Sequence, residues 1–119
     1  NLVVSAGLTY ICSRMADASA GVMSHMALGS GTTAAAAGDT DLESILGSRE
    51  ALDSTTASSN TIAYVSSFEA GEGTGAVTEA GIFNAATSGT MLCHVIFPVV
   101  NKQADDTMSV TWTITLTAS

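Results

Sequence analysis

Positive charge is the scarcest property of this 119-residue chain, in which three Lys and Arg stand against eleven Asp and Glu for a net charge of −8. Binding to nucleic acid works by neutralising phosphates with clustered Lys and Arg, so the composition argues against that class, and anionic membrane surfaces are disfavoured for the same reason. No apolar run reaches the ~18 residues of a spanning helix. The N-terminus lacks the basic region and apolar core of a signal peptide, so a cytoplasmic product is expected. The first residue is Asn1 and not Met, which leaves room for a short leader ahead of it. Cysteine is limited to Cys12 and Cys93. Neither belongs to a Cys-x-x-Cys pair, which removes support for a zinc knuckle or a thioredoxin-like site, and their apolar neighbours mark both as buried free thiols. Aromatics are few: Tyr10, Tyr64, Phe68, Phe83, Phe97 and Trp112. Most fall on apolar strand faces, where core packing accounts for them better than a carbohydrate platform does. Pro98 stands alone, and it belongs at a sheet edge or strand end because it cannot donate to a ladder.

What remains is a chain 46% hydrophobic and only 12% charged, filled out by Ser, Thr, Ala and Gly. Its length suits one domain, 1–119, with a core large enough to need neither disulfides nor metals. Residues 1–16 place Val3, Ala6, Gly7, Tyr10, Ile11, Arg14 and Met15 on one face of an expected N-terminal helix, with 17–21 ending it. Residues 22–29 read as a central strand. The small-sided stretch 29–38 reads as an extended loop, and Asp39, Asp41 and Glu43 as the acidic first turn of a short helix ending at Gly47. Residues 54–60 are a polar link between two strands. The clearest strands are 61–68 and 108–116. In the latter Met108, Val110, Trp112, Ile114 and Leu116 share one face while Ser and Thr occupy the other. Between them, 75–84 and 90–99 form a hairpin through the loop 85–89. The expected fold is mainly β: an antiparallel β-sandwich or jelly roll over 22–117, with a short N-terminal helix and one short helical turn within 29–47.

Catalytic patterns are missing. No Gly-x-Ser-x-Gly elbow occurs, the glycine-rich stretches lack the lysine of a P-loop, and Asp39, Asp41 and Glu43 lack the ligand spacing of an EF-hand. His25, His94 and Cys93 have metal-binding side chains but no paired spacing, and Cys93 and His94 point to opposite faces of a strand. The reading is therefore no enzyme, with no catalytic, metal or cofactor-binding residue and no cofactor. One segment resists a bland account. Residues 78–85, Thr-Glu-Ala-Gly-Ile-Phe-Asn-Ala, put Glu79 and Gly81 inside an otherwise apolar strand, beside Phe83. Burying a carboxylate alone costs several kcal/mol, and a strand glycine marks a bulge or a close backbone approach. Two readings of Glu79 stay open: a solvated rim residue on a bulged edge strand, or a carboxylate accepting hydrogen bonds from Arg49 or from backbone amides of a neighbouring loop or subunit. Gly71, Gly73 and Gly75 form the turn leading into this strand and, with Glu79, Gly81, Phe83 and Arg49, complete the structural or interface candidates.

Four segments in order resemble a loose family of tailed-bacteriophage virion proteins: Met-Ala-Leu-Gly-Ser-Gly-Thr-Thr at 26–33, the acidic stretch 39–46, Thr-Glu-Ala-Gly-Ile-Phe-Asn-Ala at 78–85, and Thr-Trp-Thr-Ile-Thr at 111–115. The resemblance spans most of 22–117. It implies a small β-sandwich on the outer surface of a virion, most of all a capsid decoration (cement) protein that binds the major capsid protein and copies of itself as a homo-oligomer. A tail-fibre or baseplate component is the alternative within the family, and a carbohydrate-binding β-sandwich the alternative outside it. The N-terminal helix, the loop 29–38 and the turn 71–75 are the expected contact surfaces, since loops and arms reach neighbours without disturbing a sandwich.

Overall fold

The alternation of the last strand shows most directly how the sequence builds the molecule. In the computed structural model, which describes residues 1–16 and 20–118, Trp112 and Ile114 are buried while Ser109, Thr111, Thr113 and Thr115 are exposed. A period of two on a pleated strand sends alternate residues to opposite faces, so this strand must lie with one face on a core. Among the described residues nine elements follow in chain order: β1 (Leu2–Val3), α1 (Ser5–Met15), β2 (His25–Gly29), β3 (Glu50–Ala51), β4 (Ser54–Ser58), β5 (Thr61–Phe68), β6 (Gly75–Phe83), β7 (Met91–Lys102) and β8 (Met108–Thr115). They form two antiparallel sheets, five strands in the order β1-β7-β6-β2-β3 and three in the order β4-β5-β8.

The sheets face each other across the main core. Met26, Leu28, Ala80, Ile82 and Cys93 from the larger sheet meet Tyr64, Phe68, Trp112 and Ile114 from the smaller one. This is the packing of a β-sandwich, in which two inner faces interdigitate. Burial pushes the Cys93 thiol up to about 12, so it behaves as a small core residue. A second, smaller core lies on the opposite face of the larger sheet, where Val4, Ala27, Leu42, Phe83 and Met91 pack together. The outer face of that sheet is therefore covered, by the loop carrying Leu42 and by Val4 of the N-terminal segment. Gly81 stands beneath it, where a Cβ would come within 3.0 Å of both Leu42 and Met91. Its missing side chain is the close approach that an interrupted strand requires.

Several expectations from sequence need correction. The N-terminal helix starts at Ser5, because Leu2 and Val3 pair with His94 and Cys93 and complete the edge of β7. Its expected end at 17–21 lies partly outside the described residues. The polar stretch 54–60 is largely β4, an edge strand paired with β5 from Ser54↔Val65 to Ser58↔Thr61 and exposed along its length. No helical turn forms at 39–46: Ser30 N–H donates to Ser44 O and Leu46 N–H to Leu28 O, so the sheet recruits the backbone groups a helix would use. β6 is central, flanked by β2 and β7, and not an edge strand. It carries the expected irregularity, with register shifts between Val77 and Glu79 and between Ile82 and Phe83. Pro98 falls opposite the first of these, on a part of β7 that β1 no longer covers. Cys12 is exposed, whereas Cys93 is buried, and both are free thiols.

Candidate functional site

Glu79 is fully buried, and four donors converge on its carboxylate. Oε2 accepts from the backbone N–H of Gly31 and of Ser44, each at 2.8 Å, while Oε1 accepts from Glu43 N–H at 3.0 Å and lies 2.8 Å from His94 Nε2. Burial alone pushes the Glu79 carboxyl up. The amides of Glu43 and Ser44, the His94 ring and the Gly31 amide outweigh it and hold the group below its ordinary 4.5. On the other side of the ring, His94 Nδ1 lies 2.7 Å from Asp39 Oδ2. A carboxylate offers only acceptors, so the ring is held between two carboxylate oxygens, each placed to accept a hydrogen bond from the nitrogen it faces. Asp39 sits below its usual 3.8, through the Ala36 amide first and then His94.

Strand pairing explains how these groups meet. Gly81 is opposite His94 in the β6–β7 ladder and Glu79 is two residues away on the same face, so the imidazole lies over a position without a side chain. On the other flank Gly29 pairs with Glu79. A Cβ at Gly29 would come 2.5 Å from Glu79 Oε2 and 2.6 Å from Ser44 O, and one at Gly31 would come 2.5 Å from the same carboxylate oxygen. The Gly-x-Gly spacing is thus a steric requirement of the buried carboxylate. Thr78 Oγ1 donates to Gly31 O at 2.7 Å and adds a further tie. Beyond the buried network, Glu43 accepts from the Thr32 and Thr33 amides and the Thr33 hydroxyl, which lowers its carboxyl, the hydroxyl contributing most. The stretch 30–47 is accordingly a loop fastened at both ends and in the middle.

Of the two readings left open for Glu79, the geometry selects the one in which loop amides bind it, and the solvated rim is overturned by its complete burial. Arg49 is not among its donors. The Arg49 guanidinium lies 3.6 Å above the Phe83 ring, donates to Ala85 O at 2.9 Å and Ser88 O at 2.7 Å, and has Asp41 at 3.7 Å. It fastens the β6–β7 hairpin loop. Between this loop and residues 41–48 lies a depression of about 410 Å³ bordered by Asp41, Glu43, Ile45, Arg49 and Thr87. Gly75 opens β6 opposite Lys102, and Gly71 and Gly73 stand apart from Glu79 in the turn before β6, with φ of 82° and 60°. That left-handed backbone explains their presence without a binding role.

Sequence reasoning found Glu79, Gly81 and Phe83 but missed Asp39, Gly31 and the part played by His94. A lone charge and a lone histidine on facing strands of one short hairpin, on the same face by parity, is the signal that joins two of them. Asp39 arrives from a loop and carries no such signal. His25 is separate, its Nδ1 2.8 Å from Ser24 Oγ. Among the described residues no group of three His, Cys, Asp or Glu side chains is arranged to hold a metal ion. The fold and site together define the class as a two-sheet antiparallel β protein whose outer loop is bound by a buried carboxylate–imidazole network. No family model matches the chain, and a search of curated proteins finds no match either.

Proposed function

We propose that the chain is a structural protein of a tailed-bacteriophage virion, and within that class a capsid decoration protein that binds over major capsid subunits and stabilises the head. It would sit on the outer capsid surface and work by adhesion, without catalysis or a cofactor. The observation that carries the reading is the loop 30–47, held against the sheet by Glu79, His94 and Asp39 while it presents short side chains such as Thr32, Thr33 and Ala34 outward. A rigid surface of short side chains gives up little conformational entropy when a neighbour covers it. The net charge of −8 also disfavours adhesion to packaged genome. A carbohydrate-binding role has less support, because Tyr64, Phe68, Phe83 and Trp112 are buried and Tyr10 and Phe97 are half-buried, which leaves no exposed ring as a platform.

The test is co-sedimentation of the purified chain with capsids that lack it. Decoration predicts saturable binding at on the order of hundreds of copies per particle, set by shell symmetry, together with a higher capsid disruption temperature. Incorporation of only a few to a few dozen copies per virion assigns the chain to the tail. No binding to any virion component refutes the reading.

A further inference from the structure

We propose that the free edge of β8 is a self-association surface, on which a second copy of the chain adds its own β8 in antiparallel pairing about a two-fold axis. β8 pairs with β5 on one side from Thr61↔Thr115 to Phe68↔Met108, and no described strand lies on its other side. The remaining edges are each blunted. β1 and β3 are two residues long, and the uncovered part of β7 carries Pro98 and a register shift. β4 is exposed on both faces and reads Ser-Thr-Thr-Ala-Ser, so pairing with it would bury little apolar surface. Among the described edge strands only β8 combines eight residues with an apolar flank, and it has no charged residue, Pro or Gly.

That flank is a cleft of about 490 Å³ where the two sheets part, lined by Val95, Phe97 and Val100 from β7 and Met108, Val110 and Trp112 from β8. Met108 and Val110 are only half-buried, and Val100 is 42% exposed. A strand added at the β8 edge would lay its own apolar face over the mouth of this cleft. Charge identifies the occupant. The chain carries −8, yet residues 95–101 and 107–118 contain no charged side chain at all. A basic partner finds nothing here to pair with, and an acidic one gains nothing, so the edge suits a neutral strand with alternating apolar residues. β8 is itself that strand. Antiparallel pairing also sets Asp105 and Asp106 of one copy beside the uncharged residues 115–118 of the other, which keeps the like charges apart. The result is a continuous six-stranded sheet with an isologous interface.

This surface would supply the self-association in the proposed function, but it is measured without capsids, so either reading can fail alone. Sedimentation equilibrium of the wild-type chain between about 1 and 300 μM should show a species of twice the 11.9 kDa chain mass. Thr111→Lys with Thr113→Lys places like charges across the axis on an exposed face and should weaken the dimer about tenfold or more, with the far-UV circular dichroism unchanged. Amide exchange of the wild type guards against a variant that misfolds: β8 amides should become slower to exchange as concentration rises, while those of β4 do not. A wild-type monomer throughout this range overturns the proposal, as does a dimer whose formation leaves β8 exchange unchanged.

Discussion

Glu79 is buried with three backbone amides and the His94 ring on its carboxylate, and those partners decide which side chains the position accepts. Alanine would take the carboxylate away from three backbone amides and from His94 Nε2. Leaving a buried donor unsatisfied costs about 1–3 kcal/mol, so Glu79→Ala should lose at least that much in chemical denaturation. Glutamine has nearly the same shape, but its NH2 would point at N–H donors, so Glu79→Gln should recover little of it. The acid limb follows from the same contacts. Glu79 and Asp39 both have folded values below their ordinary 4.5 and 3.8. A group whose folded value is depressed stabilises fully above its unfolded value, and that contribution is lost as pH falls through the folded one. The gap in melting temperature between wild type and Glu79→Gln should therefore be full above about pH 4.5 and shrink steadily below it. A gap that stays constant down to pH 3 would show that the carboxylate charge is not what the donors bind.

At the scale of elements, legibility tracked how local the cause was. β5, β6 and β8 were readable because alternation or turn residues mark them within a few positions, and the hairpin 85–89 because glycine marks its turn. β4 was not, since Ser, Thr and Ala at 54–58 have no apolar face and it becomes a strand only by pairing with β5. The acidic stretch 39–46 has the local marks of a helix start. It forms a loop because Glu79, some forty positions along the chain, binds the Glu43 and Ser44 amides. The position of Glu79 inside a strand signalled a special environment, but its partners come from segments that sequence spacing does not connect. Arg49 was linked to the right region and the wrong acceptor. It holds the hairpin loop through two carbonyls that both accept from Nη1, while its flat, delocalised cation stacks on Phe83. Arg49→Lys keeps the charge without the flat stacking group and should lose about 1–2 kcal/mol, and Arg49→Ala about 2–3. Both should shift the amide resonances of 85–89 more than those of β5. Equal stability of the Lys variant and the wild type would mean that charge alone suffices.

The whole molecule rests on two cores separated by one sheet, and this separation predicts how it opens. The main core joins the two sheets through Met26, Leu28, Ile82, Tyr64, Phe68 and Trp112. The outer one depends on a loop residue, Leu42, closing over Ala27, Phe83 and Met91. Contacts across the main core involve every long strand, whereas the outer core is a small cluster whose cover at Leu42 comes from the single stretch 30–47. Local opening follows the least-supported unit, so that stretch should open at a lower free energy than the sandwich. Leu42→Ala removes the apolar plug while leaving the Glu79 donors in place. A buried Leu→Ala change costs about 2–5 kcal/mol, and here the cost should fall on the opening of the loop before it reaches the global transition. In hydrogen exchange, the amides of Gly31, Glu43 and Ser44 should lose protection by ten- to a hundredfold or more, while β5 and β8 amides change several-fold less. Uniform loss across both sheets would show that loop and sandwich form one cooperative unit. In that case the loop's rigidity would follow from global stability, and the buried carboxylate would serve the fold as a whole.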